Sequence, residues 1–291
     1  MRLCGVLIWI VLQVFSIPVS ARVASIDVVS REDLSSSIPS GSYGLYERLE
    51  GIVTFSFDPE NVANAAITDL HLAPVNETGF VTARANFIIL QPKDPFKRRE
   101  VAWLEVSNRG RMASLRYFQN GGRGSGSEAY GDGLLFRQGL TLIWVGWQFD
   151  VPKTDGNLWF EAPIIKNEDG SSIAGTVRSD WVVDEGRNSL SLGHRVLPTR
   201  YRAIDFDSDV HVLTRRQGRD AEKQIVPRSQ WRFSEDGREI LGSFEAGFIY
   251  ELIYKSEDPY LVGAGLLAVR DMASYVKSGE DDLFSVKKVI G

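Results

Sequence analysis

The chain has 291 residues, which allows one or two domains, with 43% apolar and 24% charged residues, the balance of an ordinary globular protein. Lysine plus arginine (33) falls short of aspartate plus glutamate (38), so there is no basic excess to neutralise a phosphate backbone and no nucleic-acid partner is expected. The single cysteine, Cys4, excludes a disulfide framework and a thiolate metal site, and three dispersed histidines (His71, His194, His211) argue against an imidazole metal centre.

Residues 1–21 read as a secretory signal. Arg2 gives a positive start, an apolar run from Leu3 to Phe15 follows, and Val19-Ser20-Ala21 supplies small residues before Arg22. Cleavage after Ala21 is expected. That implies an exported protein, periplasmic or extracellular, with no membrane attachment after cleavage. An uncleaved anchor is the competing reading. No later segment is apolar enough to cross a bilayer as a helix.

Strands are expected at 23–30, 51–58 and 80–91. In the second, Val53, Phe55 and Phe57 alternate onto one face, and Asp58-Pro59-Glu60-Asn61 ends it. Asn76-Glu77-Thr78 is a glycosylation sequon. A short apolar strand at 101–106 runs into Asn108-Arg109-Gly110. A glycine-rich stretch follows over 120–133, then a helix candidate at 134–138 stopped by Gly139. Residues 140–147 form a continuous apolar strand, as expected for a sheet covered on both faces. Strand, helix and strand together predict a βαβ unit with parallel pairing.

Residues 151–247 lose this rhythm and read as an insertion or cap of short strands. A strand at 248–254 restores it. Asp258-Pro259 then predicts a helix start, and 261–277 carries an apolar stripe of Leu266, Val269, Met272, Ala273 and Val276. A last apolar strand spans 286–290. The expected organisation is a signal at 1–21, strands and the βαβ unit at 22–150, the insertion at 151–247, and a helix and strand at 248–291.

Several motifs invite chemistry and fail on inspection. Gly121-Gly122-Arg123-Gly124-Ser125-Gly126 has no following Lys-Ser or Lys-Thr, so it reads as a surface loop rather than a phosphate cradle. Asp205-Phe206-Asp207-Ser208-Asp209 begins like a calcium loop, but Val210 and Arg216 occupy the positions that need glycine and a bidentate acid. The arginines at 195, 200, 202, 215, 216 and 219 alternate with acids at 205, 207, 209 and 220, which predicts a self-paired, solvated surface. His194 and His211 read as surface or packing residues, and Arg270-Asp271 as a structural ion pair. No Gly-x-Ser-x-Gly occurs; Ser172 follows Gly170 by two, but Ala174 replaces the second glycine.

Certain runs, taken in order, resemble the exported bacterial alpha/beta hydrolase domain-containing proteins. They are Tyr43-Gly44 with Tyr46-Glu47-Arg48-Leu49-Glu50-Gly51, Asp69-Leu70-His71-Leu72-Ala73-Pro74, Asn108-Arg109-Gly110, and Gly139-Leu140-Thr141-Leu142-Ile143-Trp144-Val145-Gly146-Trp147-Gln148. Further on come Tyr250-Glu251-Leu252-Ile253-Tyr254, Asp258-Pro259, Gly263-Ala264-Gly265 and Ala268-Val269-Arg270-Asp271. The resemblance covers nearly all of 25–291. It implies an α/β fold, a mostly parallel sheet with an N-terminal β-rich part and a β-rich insertion, cut after its fifth strand. It also implies serine-type hydrolysis of a carboxylic ester or related acyl bond in a small-molecule substrate, without cofactor or metal.

In that family the last strand leads into a nucleophile elbow, so Gly291 stands where the elbow's first glycine would be and the catalytic triad would lie beyond it. No catalytic residue is carried over. Asn108, Arg109 and Gly110 match the loop that contributes to the oxyanion hole, with Arg109 a candidate anion clamp. The same three residues read equally as a strand-ending turn with a solvated arginine. The rival function is a non-catalytic, exported β-rich ligand-binding module, with Trp159, Trp181 and Trp231 as its candidate contact residues. Oligomeric state is not legible.

Overall fold

A computed structural model describes residues 22–122, 126–193, 201–279, 283, 284 and 286–291. In chain order its elements are β1 (Val23–Asp33), β2 (Tyr46–Phe57), β3 (Val81–Pro92), β4 (Val101–Glu105), α1 (Ser114–Gln119) and β5 (Thr141–Val145). Then come β6 (Phe160–Glu161), β7 (Ala174–Val183), β8 (Arg187–Ser191), β9 (Val212–Arg216), β10 (Gln224–Ile225), β11 (Trp231–Phe233) and β12 (Glu239–Phe244). The chain closes with β13 (Phe248–Glu257), α2 (Ala264–Ser278) and β14 (Lys288–Ile290).

The large sheet runs β1-β2-β3-β5-β4-β14, with β6 on β3. Alternating burial along β2 comes from the sequence pattern itself: Leu49, Val53, Phe55 and Phe57 are buried, with partly exposed residues between them. β5 is buried at all five positions because both faces are covered. One face packs Phe55, Phe87 and Ile143 against Leu267, Ala268 and Met272 of α2. The other packs Leu90, Leu142 and Trp144 against Leu115, Leu135 and Phe136.

The expected α/β architecture is not what forms. Strands hold 38% of the described residues and helices of every kind 17%, so the structure is mostly β-sheet, not a helix-rich α/β-hydrolase fold. The large sheet is mixed rather than mostly parallel: β4 pairs parallel with β5 and with β14, whereas β1-β2, β2-β3, β3-β5 and β3-β6 are antiparallel. The reason is local. α1 ends after six residues at Asn120, whose φ of 55° is left-handed. The glycine-rich stretch beyond it disfavours helix by about 1 kcal/mol per glycine. The helix expected at 134–138 is a 3-10 turn at Phe136–Gln138, confined between Gly133 and Gly139 at φ 72° and 69°.

α2 also starts later than expected. Asp258 has a φ of 58°, and its carboxylate pairs with Lys166 instead of capping a helix. Tyr260 bridges Ile164, so helix begins only at Ala264.

The region expected to be an insertion builds a β-sandwich together with β13. One sheet runs β10-β9-β13-β7, the other β11-β12-β8. Between them lie Leu190, Leu213, Trp231, Phe233, Ile240, Tyr250 and Leu252. Two of the described arginines here pair with acids other than the neighbouring ones expected: Arg202 with Glu257 at 3.6 Å and Arg215 with Glu245 at 2.7 Å. No described helix is long and apolar enough to cross a membrane.

Candidate active site

The parallel strands β5, β4 and β14 bring their carboxyl ends to one edge, the place where ligands bind in open sheets of this kind. At this edge β4 leads through exposed Val106 to Ser107, which is buried at 1% exposure. Residues 108–111 then turn back, with the Arg111 N–H donating to the Asn108 carbonyl at 3.3 Å. Arg109 and Gly110 have φ of 54° and 71°, the two left-handed centres of a type I′ turn. Only glycine fits the second position. A Cβ there would lie 2.8 Å from Val151 Cγ1 and 2.9 Å from the Leu158 carbonyl oxygen.

The turn is anchored to the segment following β5. The Leu158 N–H donates to the Gly110 carbonyl at 2.9 Å, and the Trp147 indole N–H to the Ser107 carbonyl at 2.6 Å. The Arg109 N–H donates to Gln148 Oε1 at 2.5 Å. The Arg109 guanidinium pairs with Asp150. Below the turn, Glu105 accepts from the Ala113 N–H, the Ser114 N–H and hydroxyl, and the indole N–H of fully buried Trp144. This carboxylate ties the end of β4 to the start of α1 and to β5.

Beyond Asp150 lies an aromatic seam. Phe149 packs at 5.9 Å from Tyr201 and 5.3 Å from Tyr260 between ring centroids. Burial pushes the Tyr201 phenol above its ordinary pKa, against the opposing hydrogen bond from the Tyr260 N–H, and the nearby Asp150 charge adds to the rise. The first turn of α2 closes the floor, where a Cβ on Gly265 would fall 1.9 Å from the Trp147 carbonyl. Gly291 sits against Leu104: a Cβ there would lie 2.5 Å from its carbonyl oxygen.

The structure therefore brings Asn108, Arg109, Gly110 and Gly291 to one end of the parallel strands. It also refines their chemistry. The Gly110 N–H meets no acceptor among the described residues. The Arg109 N–H is engaged by a side-chain amide, and the Arg109 charge is balanced by Asp150. The buried Ser107 hydroxyl has no partner among the described residues. Gln148, Asp150 and Glu105 were not singled out by sequence reasoning. The available signal was the polar break of Gln148 and Asp150 directly after an apolar strand.

The histidines stand apart from this arrangement. His211 is buried within the sandwich, where Nδ1 accepts from the Lys255 N–H and Nε2 bonds the Asp205 carbonyl, so both ring nitrogens are committed to backbone groups. His71 is exposed on a 3-10 turn. His194 and residues 123–125 of the glycine-rich stretch lie outside the described residues, as does the proposed signal. Arg270 pairs with Asp271 and also donates to the Ala63 carbonyl and Asn64 Oδ1, a structural clamp across α2. The described residues contain no cluster of metal-ligating side chains. No protein family, curated protein or solved structure matches the chain.

Proposed function

We propose that the crevice at the ends of β4, β5 and β14 serves serine-type hydrolysis of a carboxylic ester or related acyl bond in an exported protein. The observation that carries this reading is the left-handed turn at Arg109-Gly110, with the unpartnered Gly110 N–H in a buried position. A preorganised backbone donor of that kind stabilises a developing oxyanion by about 3–4 kcal/mol. The Arg109 N–H becomes a second donor when the Gln148 amide swings away, since a side-chain acceptor is displaced more readily than a sheet carbonyl. Arg109 itself is held by Asp150, so it acts first as a positioning residue for the turn.

The reading also requires a serine within reach of a histidine base. The described residues contain no such pair: His211 is committed to two backbone groups, and His71 is exposed on its turn. The test uses the protein as its gene encodes it, with p-nitrophenyl acetate and butyrate as substrates and a fluorophosphonate probe mapped by mass spectrometry. Turnover with the label on one serine supports the proposal. Absence of both turnover and label overturns it. Export is tested separately by N-terminal sequencing of secreted material, where Arg22 is the expected first residue and a chain still starting at Met1 refutes cleavage.

A further inference from the structure

The sandwich holds a second cleft that ester hydrolysis does not use. β7 is the edge of one sheet and β8 the edge of the other. The chain turns between them through Asp184-Glu185-Gly186, so the two edges lie side by side without strand pairing. Two side chains stitch this gap. The Ser179 hydroxyl donates to the Leu192 carbonyl at 3.0 Å, and the Trp181 indole N–H to the Ser191 carbonyl at 2.7 Å. Next to these stitches the gap opens into a cleft of about 620 Å³, inside the range of about 300–1,000 Å³ typical of small-ligand sites.

The lining is chemically mixed. Trp181 supplies an indole whose orientation is fixed by its bond to Ser191. Around it stand Asp180, Asp184, Arg187, Ser189 and Glu239. Asp180 pairs weakly with Arg178 at 3.5 Å. The side chains of Asp184, Arg187, Ser189 and Glu239 form no hydrogen bond or ion pair with any described residue. A surface arginine beside free carboxylates ordinarily pairs with one of them. Here both signs stay available within one concavity, which suits a ligand that both donates and accepts.

We propose that this cleft binds a neutral saccharide. Each alternative fails on charge or polarity. The carboxylates of Asp184 and Glu239 outnumber the one lining guanidinium, Arg187, which disfavours a phosphate or an acidic ligand. A metal ion finds no competent cluster among the described residues. A purely apolar ligand would bury these charged groups unpaired, which disfavours it. A sugar ring offers an apolar C–H face to the indole, and hydroxyls that donate to carboxylates while accepting from arginine. Bonds to charged groups are the stronger kind. A flat aromatic platform with carboxylates and an arginine at its rim meets both requirements together.

The experiment is isothermal calorimetry and tryptophan fluorescence on the full chain. The probes are neutral hexasaccharides: β-1,4-glucan, β-1,3-glucan, α-1,6-glucan and β-1,4-linked N-acetylglucosamine. The expected result is saturable one-to-one binding of at least one of them. Trp181→Ala should weaken it at least tenfold, and Arg187→Gln and Asp184→Asn each severalfold. The latter two side chains are exposed and unpaired among the described residues, so their replacement keeps the fold, which an unchanged Tm verifies. Binding of none of the four sugars, or binding indifferent to Arg187→Gln and Asp184→Asn, overturns the proposal. An extended valine- and threonine-rich peptide is the counter-probe: if it binds and the sugars do not, the free edges of β7 and β8 accept a strand instead. Ester turnover is not the readout, so this site and the hydrolytic one stand or fall separately.

Discussion

Glu105 is where removal of one side chain should do most damage to the candidate active site. Its two oxygens accept from two backbone N–H groups at the start of α1, from the Ser114 hydroxyl and from the Trp144 indole. Glu105→Ala leaves the indole N–H of a fully buried tryptophan without an acceptor, which costs about 1–3 kcal/mol. Losing the side-chain acceptor at the head of α1 adds about 1 kcal/mol, the usual value for a missing helix cap. The expected destabilisation is therefore about 3 kcal/mol, read from the urea midpoint at constant m-value. Glu105→Gln keeps one acceptor oxygen and should cost roughly half as much, since a charged acceptor is replaced by a neutral one. A double-mutant cycle with Trp144→Phe isolates the indole contribution and should show at least about 1 kcal/mol of coupling. A loss under about 1 kcal/mol for Glu105→Ala, or a coupling near zero, would refute the account of this carboxylate as the tie between β4, β5 and α1.

Gly110→Ala should destabilise by at least about 2 kcal/mol, because left-handed backbone alone costs about 1–2 kcal/mol for alanine and its Cβ meets Val151 and Leu158 at under 3 Å; a soluble variant with unchanged Tm contradicts the type I′ turn. Asp271→Ala removes a carboxylate 2% exposed beside Arg270 and should cost about 2 kcal/mol, discounted from the 3–5 of a fully buried pair because Arg270 is partly solvated; thermal denaturation measures it. Acid should destabilise the sandwich first. A hydrogen bond from Lys223 lowers the Glu251 pKa, and hydrogen bonds from Lys255 and Lys166 do the same for Asp205 and Asp258. Depressed carboxylates contribute stability that is fully present above their ordinary pKa of about 4 and lost as pH falls through the lower folded values. Tm should therefore drop between about pH 5 and pH 2, and Lys223→Met should flatten that drop; a Tm independent of pH over this range would contradict it.

Much of the strand pattern was legible because period-2 burial writes itself into the residues. β2, β3, β5 and β13 follow their apolar runs closely. The parallel pairing of β4 with β5 was legible too, since a crossover must separate parallel strands. The helices were less so. Nothing local distinguishes the 3-10 turn at Phe136–Gln138 from a longer helix except two glycines held left-handed by tertiary contacts. The left-handed Asp258 was invisible because Asp-Pro is also a helix-start signal, and its carboxylate was claimed by distant Lys166. In the site, Asn108 to Gly110 was found as a turn, but its partners Gln148 and Asp150 lie some 40 positions away and meet it only through parallel pairing. The α/β expectation came from the strand-helix-strand pattern as well as the resemblance, and took the apolar strands as evidence of covering helices. In the structure one long helix and short turns cover them.

An aromatic seam links the sandwich to the strand-end turn. Tyr201 packs against Tyr260 at 6.0 Å between ring centroids, its hydroxyl oxygen accepts from the Tyr260 N–H at 3.3 Å, and its carbonyl accepts from the Tyr254 hydroxyl at 2.8 Å. Tyr254 is a sandwich core residue, and Phe149 precedes the Asp150 that holds Arg109. A continuous chain of packed groups thus runs from the sandwich to the strand-end turn. Packed groups of this kind move together or not at all. Truncating Tyr201 to leucine removes ring contacts and a hydrogen bond without placing a new charge in the seam. If the seam fixes the crevice, Tyr201→Leu should lower the melting temperature and loosen the Arg109–Asp150 contact together. Faster amide exchange at residues 108–110, measured by mass spectrometry, is the expected accompaniment. Unchanged exchange there, despite a lowered Tm, would mean that the sandwich supports the chain without shaping the site.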